Sequence, residues 1–248
     1  QRFKGWKFTA FHVEKMPCPP KSWRRGIDPR LSWAAVFGQG NRGFVGGPAD
    51  EVAACFNGRH LSRGMISIKT DKEAAAIRRS CVLAANLLKQ VVKRIEPGIS
   101  LREIDEYAAK LMKEHGARSP FLGYRGFPGH TCISVNEEVV HGTPRDRKVQ
   151  YGDIVSVDLG VIYEGWVGDT ATTVAIGAVN GEVQRLMEVT EQSLYLAIDK
   201  ARAGNRLSNV SHAVESFVQA NGFSVVREFV GHGVGRTLHE EPQVPNFG

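Results

Sequence analysis

The chain has 248 residues, 42% of them hydrophobic, which is enough for one sizeable core or for a domain with an extension. No apolar run reaches the roughly 18 residues that a membrane span needs, so no membrane partner is predicted. The net charge of +6 comes from residues 1–64, which hold 11 Lys and Arg against 4 Asp and Glu. Residues 65–248 are almost neutral, which excludes a general basic field and predicts no specific nucleic-acid partner.

Residues 1–64 form a basic segment rich in Gly, Pro and Trp. No helical or alternating period persists there, so we predict a poorly ordered extension ahead of a domain at 65–248. An organellar targeting segment, a basic arm that touches RNA and a stretch foreign to the domain all stay open. Four Cys without paired spacing favour reduced thiols and a cytoplasmic protein, unless the extension directs it to an organelle.

Helices and strands alternate through the domain. Apolar residues at every third or fourth position predict a helix at 71–94. Ser100 and Glu103 make a capping box that opens a second helix, and Gly116 ends it. The further elements predicted are a strand at 131–140, helices at 183–202 and 207–220, and a strand at 224–230.

Two segments of the domain match each other at a constant offset of 106 residues. Residues 97–116 align with 203–222, and Gly98 meets Gly204 in this alignment. The match indicates a repeated unit of two helices followed by strands. The offset places the second set of strands at 237–282, so we expect the second half to be incomplete in this sequence.

The stretch GDIVSVDLGVIYEGWVGDTATT at 152–173 predicts a β-hairpin that turns at 163–165. Asp158 lies in its first arm and Asp169 in its second. Because side chains alternate along a strand, an even-numbered turn places both carboxylates on one face, directly opposed or one diagonal step apart. Two ionised carboxylates between apolar strands are costly, so they share a proton or flank a cation, unless one of them points to solvent.

A second polar stretch, GHGVGRTLHEEPQVP, lies at 231–245. Its glycines let the backbone approach a ligand closely, but no Gly-Lys-Ser/Thr follows, as a phosphate loop would require. His232 and His239, added to the two aspartates, make a donor set that suits Mn, Fe, Co or Zn. Glu240 and Glu241 are expected to be solvated.

Four motifs together carry a resemblance: CISVNEEVVHGTP at 132–144, DIVSVDLG, GDTATT and GHGVGRTLHEEPQV. They closely resemble those of type I methionine aminopeptidases of the bacterial kind, in that family's order, from about residue 65 onward. The resemblance implies an α+β fold of the pita-bread type, with pseudo-symmetric helices around an antiparallel sheet and a second half that is incomplete here. It also implies removal of the initiator methionine from nascent polypeptides when the second residue is small.

The resemblance assigns roles to particular residues. It implies that Asp158, Asp169 and His232 bind two divalent metal ions, Co, Mn, Fe or Zn, which activate the attacking water. It implies that His239 stabilises the oxyanion and that His141 contacts the amide nitrogen of the substrate. The methionine side chain is expected in a pocket lined by Tyr124, Phe127, Cys132 and Leu238.

The family's ligand set includes two more glutamates, one of them the general base, on strands that this sequence does not contain. We therefore expect residues 1–248 alone to be poorly stable and inactive, and the complete enzyme to be a monomer acting on nascent polypeptide N-termini. The ribosome is a further candidate partner. Two alternatives stay open: an Xaa-Pro peptidase of the same fold, which HGTP and LHEEPQV disfavour, and a non-catalytic binding module.

Overall fold

A computed structural model of the chain describes residues 66–248 and, ahead of them, the backbone of one short strand, β1 (Val13–Lys15). The rest of the predicted extension at 1–64 lies outside the described residues, and its disorder stays a prediction. β1 pairs antiparallel with β5 (Phe223–Val225). Among the helices that the structure describes, none is both long enough and apolar enough to cross a membrane.

The first half of the domain is a helix pair packed on an antiparallel sheet. Its elements are α1 (Asp71–Lys93), α2 (Leu101–Glu114), a short 3-10 helix (Tyr124–Gly126), β2 (Cys132–Val135), β3 (Ile154–Tyr163) and β4 (Trp166–Ala175). The sheet order is β2-β3-β4. The capping box of α2 is confirmed, because the Glu103 carboxylate accepts from the Ser100 N–H and the Ser100 hydroxyl accepts from the Glu103 N–H.

The second half repeats the helix pair. Its elements are α3 (Gly181–Lys200), α4 (Leu207–Ala220), β5, and the two strands β6 (Gly231–Gly233) and β7 (Glu240–Val244). The bounds of α4 are those of α2 moved by 106 residues. Gly98 and Gly204, which the alignment matched, both adopt left-handed φ values, +94° and +92°. The helical part of the repeat is therefore confirmed.

Each half has its own apolar core. In the first half, both helices pack on the sheet through fully buried aliphatic side chains, among them Leu87, Leu101, Ile104, Val157 and Leu159. In the second half, a smaller core joins α3, α4 and β5 through residues that include Val189, Val214 and Phe223. Each fully buried side chain of this size contributes roughly 1.5–3 kcal/mol. The first core therefore holds the β3–β4 hairpin firmly against α1 and α2.

The contact between α1 and β4 is made by backbone on both sides. A Cβ at Gly168 would lie 2.3 Å from the carbonyl carbon of Ser80 and 2.5 Å from the Cys81 nitrogen. The Ser80 hydroxyl also donates to the Tyr163 carbonyl, at 3.1 Å. No side chain fits at position 168, so the glycine sets how closely α1 lies to the strand that carries Asp169.

We predict that Gly168→Ala lowers the free energy of unfolding by about 1–3 kcal/mol, because α1 must move away from β4. The measurement is denaturant unfolding of the purified protein. Gly181→Ala is the matched control, since a Cβ there meets nothing within 4 Å. Its free energy of unfolding should equal that of the wild type or be slightly higher. Equal stability of the two variants would contradict the close contact described for Gly168.

Two predicted strands are too long. The strand expected at 131–140 ends at Val135, because Asn136 takes a left-handed φ of +57°. The Asn136 side chain donates to Asp153 and accepts from the Ile154 N–H, so the segment turns instead of extending. Asparagine enters the left-handed region more readily than most other residues.

The strand expected at 224–230 ends at Val225. Beyond it the Arg227 N–H donates to the Glu228 carboxylate, and the Arg227 guanidinium pairs with Glu215 on α4. These bonds replace a strand ladder, and pairing resumes at β6. Its partner β7 lies within the range 237–282, where the 106-residue offset placed the second set of strands.

Candidate active site

The β3–β4 hairpin presents both aspartates on one face, as predicted. Asp158 lies opposite Ala171, and Asp169 is two residues from Ala171 on the same strand. The carboxylates are therefore one diagonal step apart. The two turn residues, Glu164 and Gly165, have φ values of +50° and +76°, which is the left-handed pair that a two-residue hairpin needs.

The imidazole of His232 faces the buried carboxylate of Asp169. Its Nε2 lies 3.9 Å from Asp169 Oδ2, and the Asp169 side chain is 0% exposed. Nδ1 of His232 lies 3.0 Å from the Gly233 carbonyl, a distance at which it donates a hydrogen bond. A neutral imidazole with its proton on Nδ1 presents the Nε2 lone pair toward the carboxylate. Two electron-pair donors at this spacing fit a cation between them.

Asp158 is the third predicted ligand and lies next along the same face. Within the described part of the chain, no three His, Cys, Asp or Glu side chains stand close enough together to hold a metal ion. The structure thus brings Asp169 and His232 together, while the three-residue ligand set stays a prediction. Cys81 on α1 lies against Asp169, and burial raises the pKa of its thiol, so it stays protonated there.

A row of rings leads from this pair to the predicted substrate pocket. The His232 and His239 rings have centroids 4.2 Å apart, and the His239 and Tyr124 centroids are 5.4 Å apart. His239 is exposed, whereas His232 is only 15% exposed. The exposed imidazole of His239 can therefore meet a ligand that lies between the aspartates and Tyr124.

The four predicted pocket residues belong to one apolar cluster. Phe127, Cys132 and Leu238 are buried in it, and Tyr124 packs on it partly exposed. Cys132 lies directly opposite Asp158 in the β2–β3 ladder. We call this group the pocket cluster. On one side it adjoins the hairpin face that carries Asp158 and Asp169, which we call the aspartate face, and on the other side it adjoins His239.

His141 lies beside β2. It has a left-handed φ of +60°, and its ring meets Phe229 edge-on with centroids 5.6 Å apart. Its neighbour Gly142 accepts from the Ile133 N–H and donates to the Ser134 hydroxyl. A Cβ at Gly142 would lie 2.2 Å from the Ile133 carbonyl oxygen, so close backbone contact places His141 next to the strand that carries Cys132. A shared substrate contact with His239 stays a prediction.

Asp105 is a residue that the sequence reasoning missed. It lies on α2, only 6% exposed, and its carboxylate accepts from the N–H groups of His130 and Thr131 and from the Thr131 hydroxyl. These bonds fix the backbone directly ahead of Cys132. A signal was present, because an acidic residue stands beside Ile104 on the apolar stripe of an amphipathic helix.

The expectation that Glu240 is solvated is wrong, although Glu241 is exposed as expected. The Glu240 carboxylate pairs with Lys69, and their side chains are 17% and 12% exposed. Burial acts to raise the pKa of the Glu240 carboxyl, but hydrogen bonds from Lys69 and from the Thr237 backbone outweigh it, so this pKa lies below its ordinary value. This ion pair could not be predicted from the sequence, because 171 positions separate Lys69 and Glu240.

Comparison with known proteins identifies the family. The family model described as metallopeptidase family M24 matches residues 75–248. The chain belongs to metallopeptidase family M24. It is 46% identical over 184 residues to methionine aminopeptidase 1 of Bacillus subtilis, covering 74% of this chain and 74% of that protein. It is also 46% identical over 182 residues to the methionine aminopeptidase of Borreliella burgdorferi, covering 73% and 72%.

Solved structures agree with the fold. The methionine aminopeptidase of Thermotoga maritima matches with a TM-score of 0.72 and 43% identity, covering 74% of each chain. A prolidase from Pyrococcus furiosus matches with a TM-score of 0.61 and 23% identity, covering 73% of this chain and 52% of its own. The prolidase supports the fold alone. The predicted pita-bread fold, with helices around an antiparallel sheet, is confirmed.

Proposed function

We propose that this M24 family member is a metal-dependent aminopeptidase that removes the N-terminal methionine from polypeptides. One observation carries the proposal: the row of contacts from Asp169 through His232 and His239 ends at the pocket cluster. The proposed ligands Asp169 and His232 thus lie beside apolar side chains of the kind that a methionine side chain would contact. This proximity supports a site in which substrate binding and metal chemistry are neighbours.

Asp158, Asp169 and His232 would hold the metal ions, which we propose to be two divalent cations. The donor set fits, since carboxylate and neutral imidazole suit Mn, Fe, Co and Zn. When bound, the ions supply a water of lowered pKa and a positive charge beside the scissile carbonyl. The Gly233 carbonyl holds His232 in the tautomer that leaves Nε2 available as a ligand.

The two other histidines act on the substrate. His239 is exposed at the pocket end of the ring row, where its imidazole N–H donates to the carbonyl oxygen as negative charge develops there. His141 contacts the amide nitrogen of the same peptide bond and accepts a hydrogen bond from its N–H. The carboxylates on the aspartate face attract the free N-terminal amine, which limits cleavage to the first residue.

The pocket cluster selects the first residue. Phe127, Cys132 and Leu238 bury apolar surface without an ionised group among them, so an unbranched thioether side chain is favoured over a charged one.

Nascent polypeptide N-termini are the proposed substrates, the protein is a proposed monomer, and the ribosome is a proposed partner. A reducing, cytoplasmic setting is proposed, which agrees with the absence of a disulfide between Cys81 and Cys132.

The test is incubation of Mn²⁺ and a Met-Ala-Ser peptide with the full-length protein, meaning a form that contains the two further glutamates implied by the resemblance. We expect free methionine and Ala-Ser as the products. The same peptide with an acetylated N-terminus should stay intact, because the free amine is needed. Cleavage of an Ala-Pro substrate without cleavage of Met-Ala-Ser would instead assign the protein to the Xaa-Pro peptidases, and no cleavage of either would favour a binding module.

A further inference from the structure

The turn between β6 and β7 carries both Leu238 and His239, and one carboxylate holds it from inside. Glu240 Oε1 accepts a hydrogen bond from the Arg236 N–H at 2.8 Å and another from the Thr237 N–H at 3.3 Å. These amides directly precede the two site residues. The carboxylate therefore fixes the backbone path that leads into Leu238 and His239.

The other oxygen of the same carboxylate is held by a lysine just ahead of α1. Glu240 Oε2 lies 2.5 Å from Lys69 Nζ, and Lys69 immediately precedes Thr70, the N-cap of that helix. Both side chains are largely shielded from water, so this ion pair is screened far less than the exposed pair of Arg102 and Asp146. The segment that leads into α1 thus also holds the turn.

The turn is shaped to admit this carboxylate. A Cβ at Gly235 would lie 2.2 Å from Glu240 Oε1, so only glycine leaves room for it. On the outer side, the Arg236 guanidinium stacks on Trp166 at 3.8 Å, and the Val167 N–H donates to the Gly235 carbonyl. The outer side of the turn is therefore joined to the hairpin that carries Asp169, and Glu240 holds the inner side.

We propose that Glu240, held by Lys69, is a positioning residue that sets the place of the His239 imidazole in the active site. This inference rests on the proposed aminopeptidase function. Glu240 touches no reacting atom in this arrangement. It acts through two backbone amides, and Lys69 acts through Glu240.

The experiment compares Glu240→Ala, Glu240→Gln and Lys69→Met in the full-length, metal-loaded protein. For Glu240→Ala we expect kcat to fall about 10–100-fold, because a small displacement of a catalytic group has effects of that size. KM should change less than about threefold, since the pocket cluster still holds Leu238. Glu240→Gln keeps an acceptor for the two amides and should recover most of kcat, while Lys69→Met should lie between them.

Amide hydrogen exchange gives a readout that does not depend on activity. The Arg236 and Thr237 amides should exchange faster in Glu240→Ala while those of α2 stay protected. Asp146→Asn, which breaks an exposed ion pair, is the matched control and should leave kcat and exchange unchanged. If Glu240→Ala unfolds, the same readouts in Glu240→Gln and Lys69→Met decide the question.

The inference and the proposed function fail in different ways. An inactive wild-type protein would overturn the aminopeptidase proposal, and the inference with it. An active wild-type protein whose Glu240→Ala variant keeps its kcat and the exchange rates of both amides would overturn the positioning role alone. Equal losses of kcat in Glu240→Gln and Glu240→Ala would also contradict that role, because they would show that the amide bonds do not matter.

Discussion

Asp169→Asn should release most of the bound metal and, with it, abolish methionine release. Asparagine keeps the shape of the side chain but removes the charge that faces His232 Nε2 at 3.9 Å. Loss of an outer-shell partner alone typically costs about 10–100-fold in metal affinity, and we expect a direct ligand to exceed that range. The measurement is metal content after dialysis, together with the rate of methionine release.

Asp199→Asn serves as the matched control. Asp199 pairs with Arg202 on the solvent-facing side of α3 and is 61% exposed. Its replacement should leave metal content and rate unchanged. If Asp169→Asn retained wild-type metal affinity, the assignment of Asp169 as a ligand would be wrong.

His239→Ala should lower kcat by about 10²–10³-fold, the usual cost of removing one donor to a developing oxyanion. KM should change little, because the pocket cluster stays intact and His239 itself is exposed. Metal content should also stay at the wild-type level, since the proposed ligand that faces Asp169 is His232. Steady-state kinetics on Met-Ala-Ser, with metal analysis of the same samples, measures all three quantities.

An exposed histidine elsewhere in the domain provides the control for that loss. His212 on α4 is also exposed and bonds to Ser216 on its own helix. His212→Ala should keep the wild-type kcat. A metal loss in His239→Ala as large as that in Asp169→Asn would assign His239 to the metal site instead of the oxyanion.

Local periodicities explain what could be predicted. The shared face of Asp158 and Asp169 follows from the two-residue period of strands and an even turn, so residue numbers alone determine it. The capping box of Ser100 and Glu103 is likewise a contact between residues three apart. The helical repeat was visible because each half must bury the same kind of apolar stripe.

Long-range contacts explain what could not be predicted. The pairing of Lys69 with Glu240 depends on how the segment ahead of α1 meets the β6–β7 turn, and neither residue stands out in its own segment. The early end of β2 depends on Asn136 meeting Asp153, which lies 17 residues away. Such bonds exist only in the folded chain, so no local sequence pattern predicts them.

The most direct measurement is the crystal structure of the full-length protein with bound Zn²⁺, recorded with anomalous scattering at the zinc edge. We expect an anomalous peak about 2.0–2.2 Å from a carboxylate oxygen of Asp169 and from Nε2 of His232, with Asp158 as a further ligand. A peak at another place on the chain, or none between Asp169 and His232 in crystals saturated with zinc, would contradict the proposed metal centre.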